Sequence, residues 1–265
     1  MTETVVLKLG GSVITDKSGD CAIDHARLRE VAGELAAARR PALVLVHGAG
    51  SCGHPEARRY RINDGLTGEN VPGVYETHAA VSRLNDAVVE ALRDAGIEAI
   101  GIHPLALALA EGGRLVSFET RHIAEMTEHG IVPVLHGDVV MDRLRGSCIV
   151  SGDQLVTRLA VALASRRVGL ATDVPGVLQN GSVIPRIDRS TVESLDIGES
   201  TKADVTGGMR GKIAELLALA DAGIESHIFR HRRARGVPMP EYVRFYSTSR
   251  RSAGSWTERG TTGRL

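Results

Sequence analysis

A chain of 265 residues with 43% hydrophobic content is long enough to bury a full core, as one large unit or as two lobes on a shared sheet. Its 32 basic residues balance 32 acidic ones, which argues against a nucleic-acid partner recognised through bulk positive potential, and no apolar run approaches the roughly 20 residues that span a bilayer. Three cysteines, Cys21, Cys52 and Cys148, lie far apart with no CxxC pair, so neither a disulfide framework nor a zinc knuckle is expected and a reducing cytoplasm fits.

The first predicted strand, 4–9, begins within four residues of Met1, which leaves no room for a signal peptide. It runs into Gly10-Gly11-Ser12, with Lys8 before the glycines and Lys17 after them. Glycines let backbone N–H groups turn inward as an anion-binding nest, and flanking lysines add the point charges that a polyphosphate needs. A helix is expected over 24–39, with Asp24 as its N-cap, and a strand over 42–46 leads into a second loop, His47-Gly48-Ala49-Gly50-Ser51-Cys52-Gly53-His54. Two such loops suggest two phosphates brought face to face. Neither has the GxxxxGK[ST] spacing of a P-loop, and neither has the GxGxxG spacing and following acid of a dinucleotide fold.

Further along, strands are expected at 98–102, 131–135, 167–171 and 225–229, and helices at 74–94, 119–129, 152–164 and 208–222. Gly96, Gly130 and Gly223 sit where helices should stop, and Gly112-Gly113-Arg114 marks a short hairpin expected over the acceptor site. Strand and helix alternate throughout, which gives an α/β fold with a largely parallel sheet. Tyr60 and Tyr75 read as packing residues, and the arginines crowding the C-terminal stretch, from Arg230 to Arg264, as a solvated basic surface.

Three segments of the second half carry chemistry. Asp153 follows Ser151-Gly152 at a helix start, where an aspartate can serve as an N-cap or meet a cation. Thr172 and Asp173 follow a strand, and Asp204-Val205-Thr206-Gly207-Gly208-Met209-Arg210-Gly211-Lys212 opens a helix on a glycine pair whose unpaired N–H groups can hold an anion. His47, His78, His103, His122, His129 and His136 form no metal-ligand pattern such as HExxH. No protein-bound metal is expected.

The segments KLGGSVITDK, HGAGSCGHPEARRY, HGDVV, SGDQLV, ATDVPGVL and DVTGGMRGK, in this order, resemble the amino acid kinase family and within it the isopentenyl phosphate kinases, over residues 4 to about 228. That resemblance implies an αβα sandwich with a largely parallel central sheet, one continuous domain in which an acceptor lobe, 1–165, and a nucleotide lobe, 166–265, share the sheet. It implies an ATP-dependent kinase that phosphorylates a small alkyl monophosphate, most simply isopentenyl phosphate, with Mg2+ arriving on the ATP. By resemblance the catalytic set is Lys8, Lys17, His54, Asp153 and Lys212. Lys8 and Lys212 meet the donor phosphates from opposite sides, Asp153 directs the lysines, and His54 donates to the acceptor phosphate. Substrate contacts fall on Gly10, Gly11, Ser12, Gly48, Ala49, Gly50, Ser51, Gly53 and Gly152. Nucleotide contacts fall on Thr172, Asp173, Gly176, Val177, Gly207, Gly208 and Met209, although Pro175 departs from the acidic or polar residue common there.

The hydrocarbon end of the acceptor is expected against Val74, Thr77, Val81 and Leu84 of the helix over 74–94. A phosphonate kinase of the fosfomycin-kinase type is the nearest alternative, since those relatives also keep a histidine after the glycine loop. A carboxylate kinase is more distant because it lacks that histidine, and a non-catalytic small-anion binding protein on the same fold is the reading from another class. The partners expected are small phosphorylated molecules and a second copy in a twofold dimer, with no nucleic acid and no membrane. The C-terminal Gly260-Thr261-Thr262-Gly263-Arg264-Leu265 departs from the relatives' Gly-Thr-x-Ile type of ending, so the last strand is expected to be remodelled.

Overall fold

The structure, a computed structural model, describes residues 4–16, 21–38, 42–174, 176–179, 182–184, 186–193, 208–231 and 243–245. Lys17, Pro175, Gly207, the other residues of 201–207 and the C-terminal arginines from 246 onward lie outside them.

In chain order, β1 (Val5–Leu9), α1 (Gly11–Ile14), α2 (His25–Ala38) and β2 (Leu43–His47) come first. Asp24 caps α2 as expected, its Oδ1 accepting from the Arg27 amide at 2.9 Å. Then come α3 (His54–Arg59), α4 (Pro72–Asp94), β3 (Ala99–Gly101) and α5 (Pro104–Leu107). Proline fits the first turn of α4 because the N–H it lacks would have no intrahelical partner there. The hairpin of β4 (Ala108–Glu111) and β5 (Arg114–Phe118) precedes α6 (Arg121–Glu128), β6 (Val132–His136), β7 (Asp138–Asp142), β8 (Gly146–Val150) and α7 (Gly152–Ala162). The remaining elements are β9 (Arg167–Thr172), β10 (Leu178–Gln179), β11 (Ser182–Val183), β12 (Arg186–Ile187), α8 (Arg189–Glu193), α9 (Gly208–Asp221), β13 (Glu225–Arg230) and β14 (Val243–Phe245).

The central sheet has the order β12-β14-β13-β9-β1-β2-β6-β3, with only the β13–β14 pair antiparallel. Both of its faces are covered. Along β2 the side chains alternate, Val44 and Val46 joining Leu155, Leu159, Ile213 and Leu216 from α7 and α9. Leu43 and Leu45 instead join Leu28, Val31, Leu84 and Val88 from α2 and α4. That division makes the αβα layers.

A second sheet, β5-β4-β7-β8, stands beside the first. Its β7–β8 hairpin was not expected, because HGDVV reads as the tail of β6; a turn at Gly137 instead sends the chain into a separate sheet. The β4–β5 hairpin is present, and none of its residues lines the cavity described below. Gln154 Oε1 accepts from the Leu115 amide at 3.0 Å, and Arg114 pairs with the buried Glu215 at 2.6 Å, so the hairpin braces α7 and α9. It is the partner strand β8 that reaches the cavity.

Two further expectations are corrected. Cys21 and Cys52 are joined in a disulfide, their Cα atoms 4.1 Å apart, and only Cys148 is a free, buried thiol. The 31-residue separation gave no spacing signal; the two meet because Cys21 donates its amide to Ser51 O at the edge of the second glycine loop. Tyr75 is 71% exposed, whereas Tyr60 lies against Gly73, where a Cβ would strike its ring.

Candidate active site

β1 and β2 are parallel neighbours, so the two glycine loops leave the same end of the sheet side by side. They interlock backbone to backbone: Gly48 N donates to Leu9 O at 2.9 Å, and a Cβ on Gly11 would collide with the Gly50 backbone. Gly50 also holds φ +58°, and a side chain there would run into Thr15. Thr15 Oγ1 donates to Gly11 O at 2.9 Å and accepts from Ser51 N at 3.0 Å, tying one loop to the other.

Lys8 occupies the end of β1, paired in register with Val46 of β2 and Leu170 of β9, so its side chain leaves the middle of the sheet. It is buried, and its Nζ lies 2.7 Å from Asp153 Oδ1. Lys212, in the first turns of α9, approaches the same carboxylate from the other side at 3.1 and 3.2 Å. Ser151 rather than Asp153 is the N-cap of α7, its hydroxyl accepting from Gln154 N at 3.2 Å. Asp153 is thereby free to serve the lysines. Burial pushes the Asp153 carboxyl up, but the charges and hydrogen bonds of Lys8 and Lys212 override it and hold the group well below the usual carboxylate range. Burial likewise brings Lys8 down to about 8, against the opposing pull of Asp153. Two cations on one anion leave a net positive centre.

These groups open onto a cavity of about 370 Å³. Of the sequence-predicted residues, Lys8, Gly10, Gly11, Ser12, Gly48, Ala49, Gly50, Gly53, His54, Gly152, Asp153, Thr172, Asp173 and Lys212 all line it, which brings both loops and both lysines to one place. Ser51 does not line it; its amide serves Thr15 and its hydroxyl is buried. Val177 is packed in the core, and Gly176 contributes nothing to the cavity wall. Gly208 and Met209 begin α9. Lys17 and Gly207 lie outside the described residues.

His54 opens α3 just after Gly53, whose φ of +82° turns the chain where a Cβ would strike Val81 of α4. Beyond His54 the wall becomes apolar, with Ala57, Val81, Ile149 and Val150. Thr77 and Val81 face the cavity as expected, but Leu84 belongs to the core and Val74 is not part of the wall. Sequence reasoning missed Ile149 and Val150 of β8 and also Gly137 and Asp138. The HGDVV segment flagged the last two without assigning them work. Among the described residues no group of three or more His, Cys, Asp or Glu is arranged to hold a metal, and Asp153 is already engaged by two lysines.

A model of the amino acid kinase family matches residues 3–230. The chain belongs to the amino acid kinase family. Among relatives in that family, the isopentenyl phosphate kinase of Haloferax volcanii is 43% identical over 229 residues, covering 85% of this chain and 90% of its own. That of Methanothermobacter thermautotrophicus is 42% identical, covering 84% and 90%. A solved structure described as isopentenyl phosphate kinase superposes with a TM-score of 0.75 at 37% identity, over 86% of this chain and 91% of that one. The family match stops at residue 230, the end of β13, close to the limit of about 228 at which the sequence resemblance fades. β14 does close against β13, so the described part of the sheet continues past that limit, while the divergent Gly260–Leu265 ending lies outside the described residues.

Proposed function

We propose that this member of the amino acid kinase family transfers the γ-phosphoryl group of ATP to the phosphate of isopentenyl phosphate, giving isopentenyl diphosphate and ADP. The observation that carries the reading is a single cavity with a two-lysine centre, which at one end passes through His54 into an apolar wall. A phosphate with a short hydrocarbon tail has that distribution of charge and grease. The 42–43% identity to isopentenyl phosphate kinases supports the same acceptor.

In the transfer, an oxygen of the acceptor phosphate attacks the γ-phosphorus, the bond to the β–γ bridging oxygen breaks, and ADP leaves with that electron pair. The protein's task is to align donor and acceptor and to neutralise charge on the transferring oxygens. Lys8 and Lys212 supply that charge, and Asp153 fixes their direction at the cost of one unit of it. Lys17 is assigned a third cation of the same set. The amides of Gly10, Gly11, Gly48, Ala49 and Gly50, with Ser12 and Gly152, cradle the phosphates, while Thr172 and Asp173 face the nucleotide. His54 donates to the acceptor phosphate, a dianion above pH of about 6.

Mg2+ would arrive with ATP rather than on a site built by the described residues, and would supply further neutralisation of the polyphosphate. The acceptor is bound by a lobe of residues 1–165 and the nucleotide by one of residues 166–265. A twofold homodimer completes the proposal; the Cys21–Cys52 disulfide removes the cysteine argument for a reducing cytoplasm, and no helix among the described residues is long and apolar enough to cross a membrane.

Coupled ADP release with isopentenyl phosphate, fosfomycin and N-acetylglutamate as rival acceptors tests the reading. Turnover should be strong with the first and negligible with the last. Turnover on fosfomycin alone would replace this acceptor with a phosphonate, and none on any acceptor would leave a binding protein.

A further inference from the structure

Behind the acceptor wall lies a cluster of four imidazoles that none of the preceding chemistry uses. His47 and His136 are fully buried partners in register on β2 and β6, and His78 of α4 and His103 stand against them. Neighbouring rings lie 5.2 to 5.6 Å apart, with His78 and His136 at 6.3 Å. The cluster ends on Asp138, a fully buried side chain at the start of β7 and a member of the cavity wall. Asp138 accepts from Val139 N at 2.9 Å, from Leu105 N at 3.1 Å and from His78 Nδ1 at 3.0 and 3.1 Å. One carboxylate thus joins β7, α5 and α4.

The hydrogen bonds fix where protons can sit. His136 Nδ1 donates to Gly137 O at 3.1 Å, which leaves its Nε2 to accept from His103 Nδ1 at 3.0 Å. Ser82 Oγ, 3.3 Å from His78 Nε2, is then available as an acceptor, so His78 can carry a proton on each nitrogen. Burial holds His47 down at about 4 and His136 well below the ordinary histidine value, so both stay neutral. The hydrogen bond to Asp138 moves His78 the other way, upward, against its own partial burial. Burial raises the Asp138 carboxyl, opposed by His78 and the two amides. The groups facing His78 are therefore Ser82 from its own helix, Asp138 from β7, His103 from the segment after β3 and His136 from β6. Asp138 is the only acid among them.

His78 itself does not line the cavity, but its neighbour Thr77 and, one turn on, Val81 do, and Val81 presses on Gly53 of the acceptor loop. We propose that His78 and Asp138 are a positioning pair that fixes the α4 wall of the acceptor pocket against β7, so that acceptor affinity depends on a residue that never touches the acceptor. This rests on the acceptor assignment made above. His78 is raised in the folded protein, so the stabilisation it gives is full below the ordinary histidine value and is lost as pH rises through the raised one. The Asp138 carboxylate is lost as pH falls through its own raised value. The wall is held best between the two.

The test is steady-state kinetics of the full chain with isopentenyl phosphate and ATP, for wild type, His78→Leu, His78→Gln, Asp138→Asn and the double variant His78→Gln/Asp138→Asn, from pH 7 to 9. His78→Leu should raise the acceptor KM roughly tenfold while kcat and the ATP KM stay within about twofold, and His78→Gln, which keeps a donor, should recover most of that loss at pH 7. The rise in acceptor KM with pH should be shallower in His78→Gln than in wild type; the two proteins share every other group, so the difference belongs to position 78. The double variant should be no worse than Asp138→Asn alone. Variants that melt earlier but keep the wild-type acceptor KM and pH profile would overturn the proposal, as would equal losses in kcat, acceptor KM and ATP KM. Wild-type protein that turns over no alkyl phosphate would instead sink the acceptor assignment, and that result is in hand before any variant is compared.

Discussion

The proposed transfer centre and the proposed acceptor wall are built in opposite ways from the same sheet. At the centre, Lys8, Asp153 and Lys212 are charged and arrive on the ends of β1, α7 and α9, and two glycine loops clear the space in front of them. The wall is a composite of α3, α4 and β8, apolar at Ala57, Val81, Ile149 and Val150, with Thr77 and Asp138 beside them and the four imidazoles behind. A centre of this kind governs how fast phosphate moves, because preorganised charge acts on the transition state. A wall of this kind governs which acceptor is held, because burial and shape act on the ground state. Substitutions in the two regions should therefore separate kcat from acceptor KM.

The largest expected effect lies at the centre. Lys8→Ala should lower kcat by about 10²–10⁵-fold with the fold intact, as for other preorganised charges aimed at a transferring phosphoryl group; stopped or continuous ADP release, with circular dichroism as the folding control, measures it. A folded variant with wild-type kcat would take Lys8 out of the centre.

On the wall, Val81→Phe adds bulk where the side chain already meets Gly53 and faces the cavity. It should reduce kcat/KM for geranyl phosphate far more than for isopentenyl phosphate, and each methylene that still fits contributes about 0.8 kcal/mol. Equal losses for both acceptors would mean that α4 does not bound the tail.

Between the regions, the Cys21–Cys52 cross-link ties the segment after α1 to the acceptor loop two residues before His54. Cys52→Ser should cost about 2–4 kcal/mol in unfolding free energy, read from denaturant melts, with kcat little changed. The smallest effect is on pH. Burial holds Lys8 at about 8, and its protonated form is the useful one, so kcat/KM for ATP should fall as pH rises past about 8. A flat profile to pH 9.5 would show that the Asp153 pairing keeps Lys8 charged against burial.

The same contrast explains what could be read from the sequence. The centre was legible because close backbone approach demands glycine, and glycine pairs beside lysines stand out in a string: Gly11 meets the Gly50 backbone, Lys8 precedes Gly10-Gly11 and Lys212 follows Gly207-Gly208. The sheet was legible from β1, β2, β6, β9 and β13, of which β2 and β6 are buried at every position and β13 only at Ser226 and Ile228. The wall was not. Ile149 and Val150 look like any strand, and β7 and β8 were hidden because a turn at Gly137 breaks what reads as one segment. Asp138, His78 and His103 are separated by up to 60 residues and meet only through tertiary packing, so no local pattern announces them. The Cys21–Cys52 pairing was invisible for the same reason, and Ser151 took the capping role that Asp153 might have filled because only the fold shows which oxygen reaches Gln154 N.

The division between centre and wall is tested most directly by titrating isopentenyl phosphate at saturating ATP for Lys212→Ala and His54→Ala in parallel. Lys212→Ala should lose kcat by at least about 10²-fold with acceptor KM nearly kept, and His54→Ala should raise acceptor KM with the smaller loss in kcat. Matching losses of kcat and acceptor KM in the two variants would contradict it.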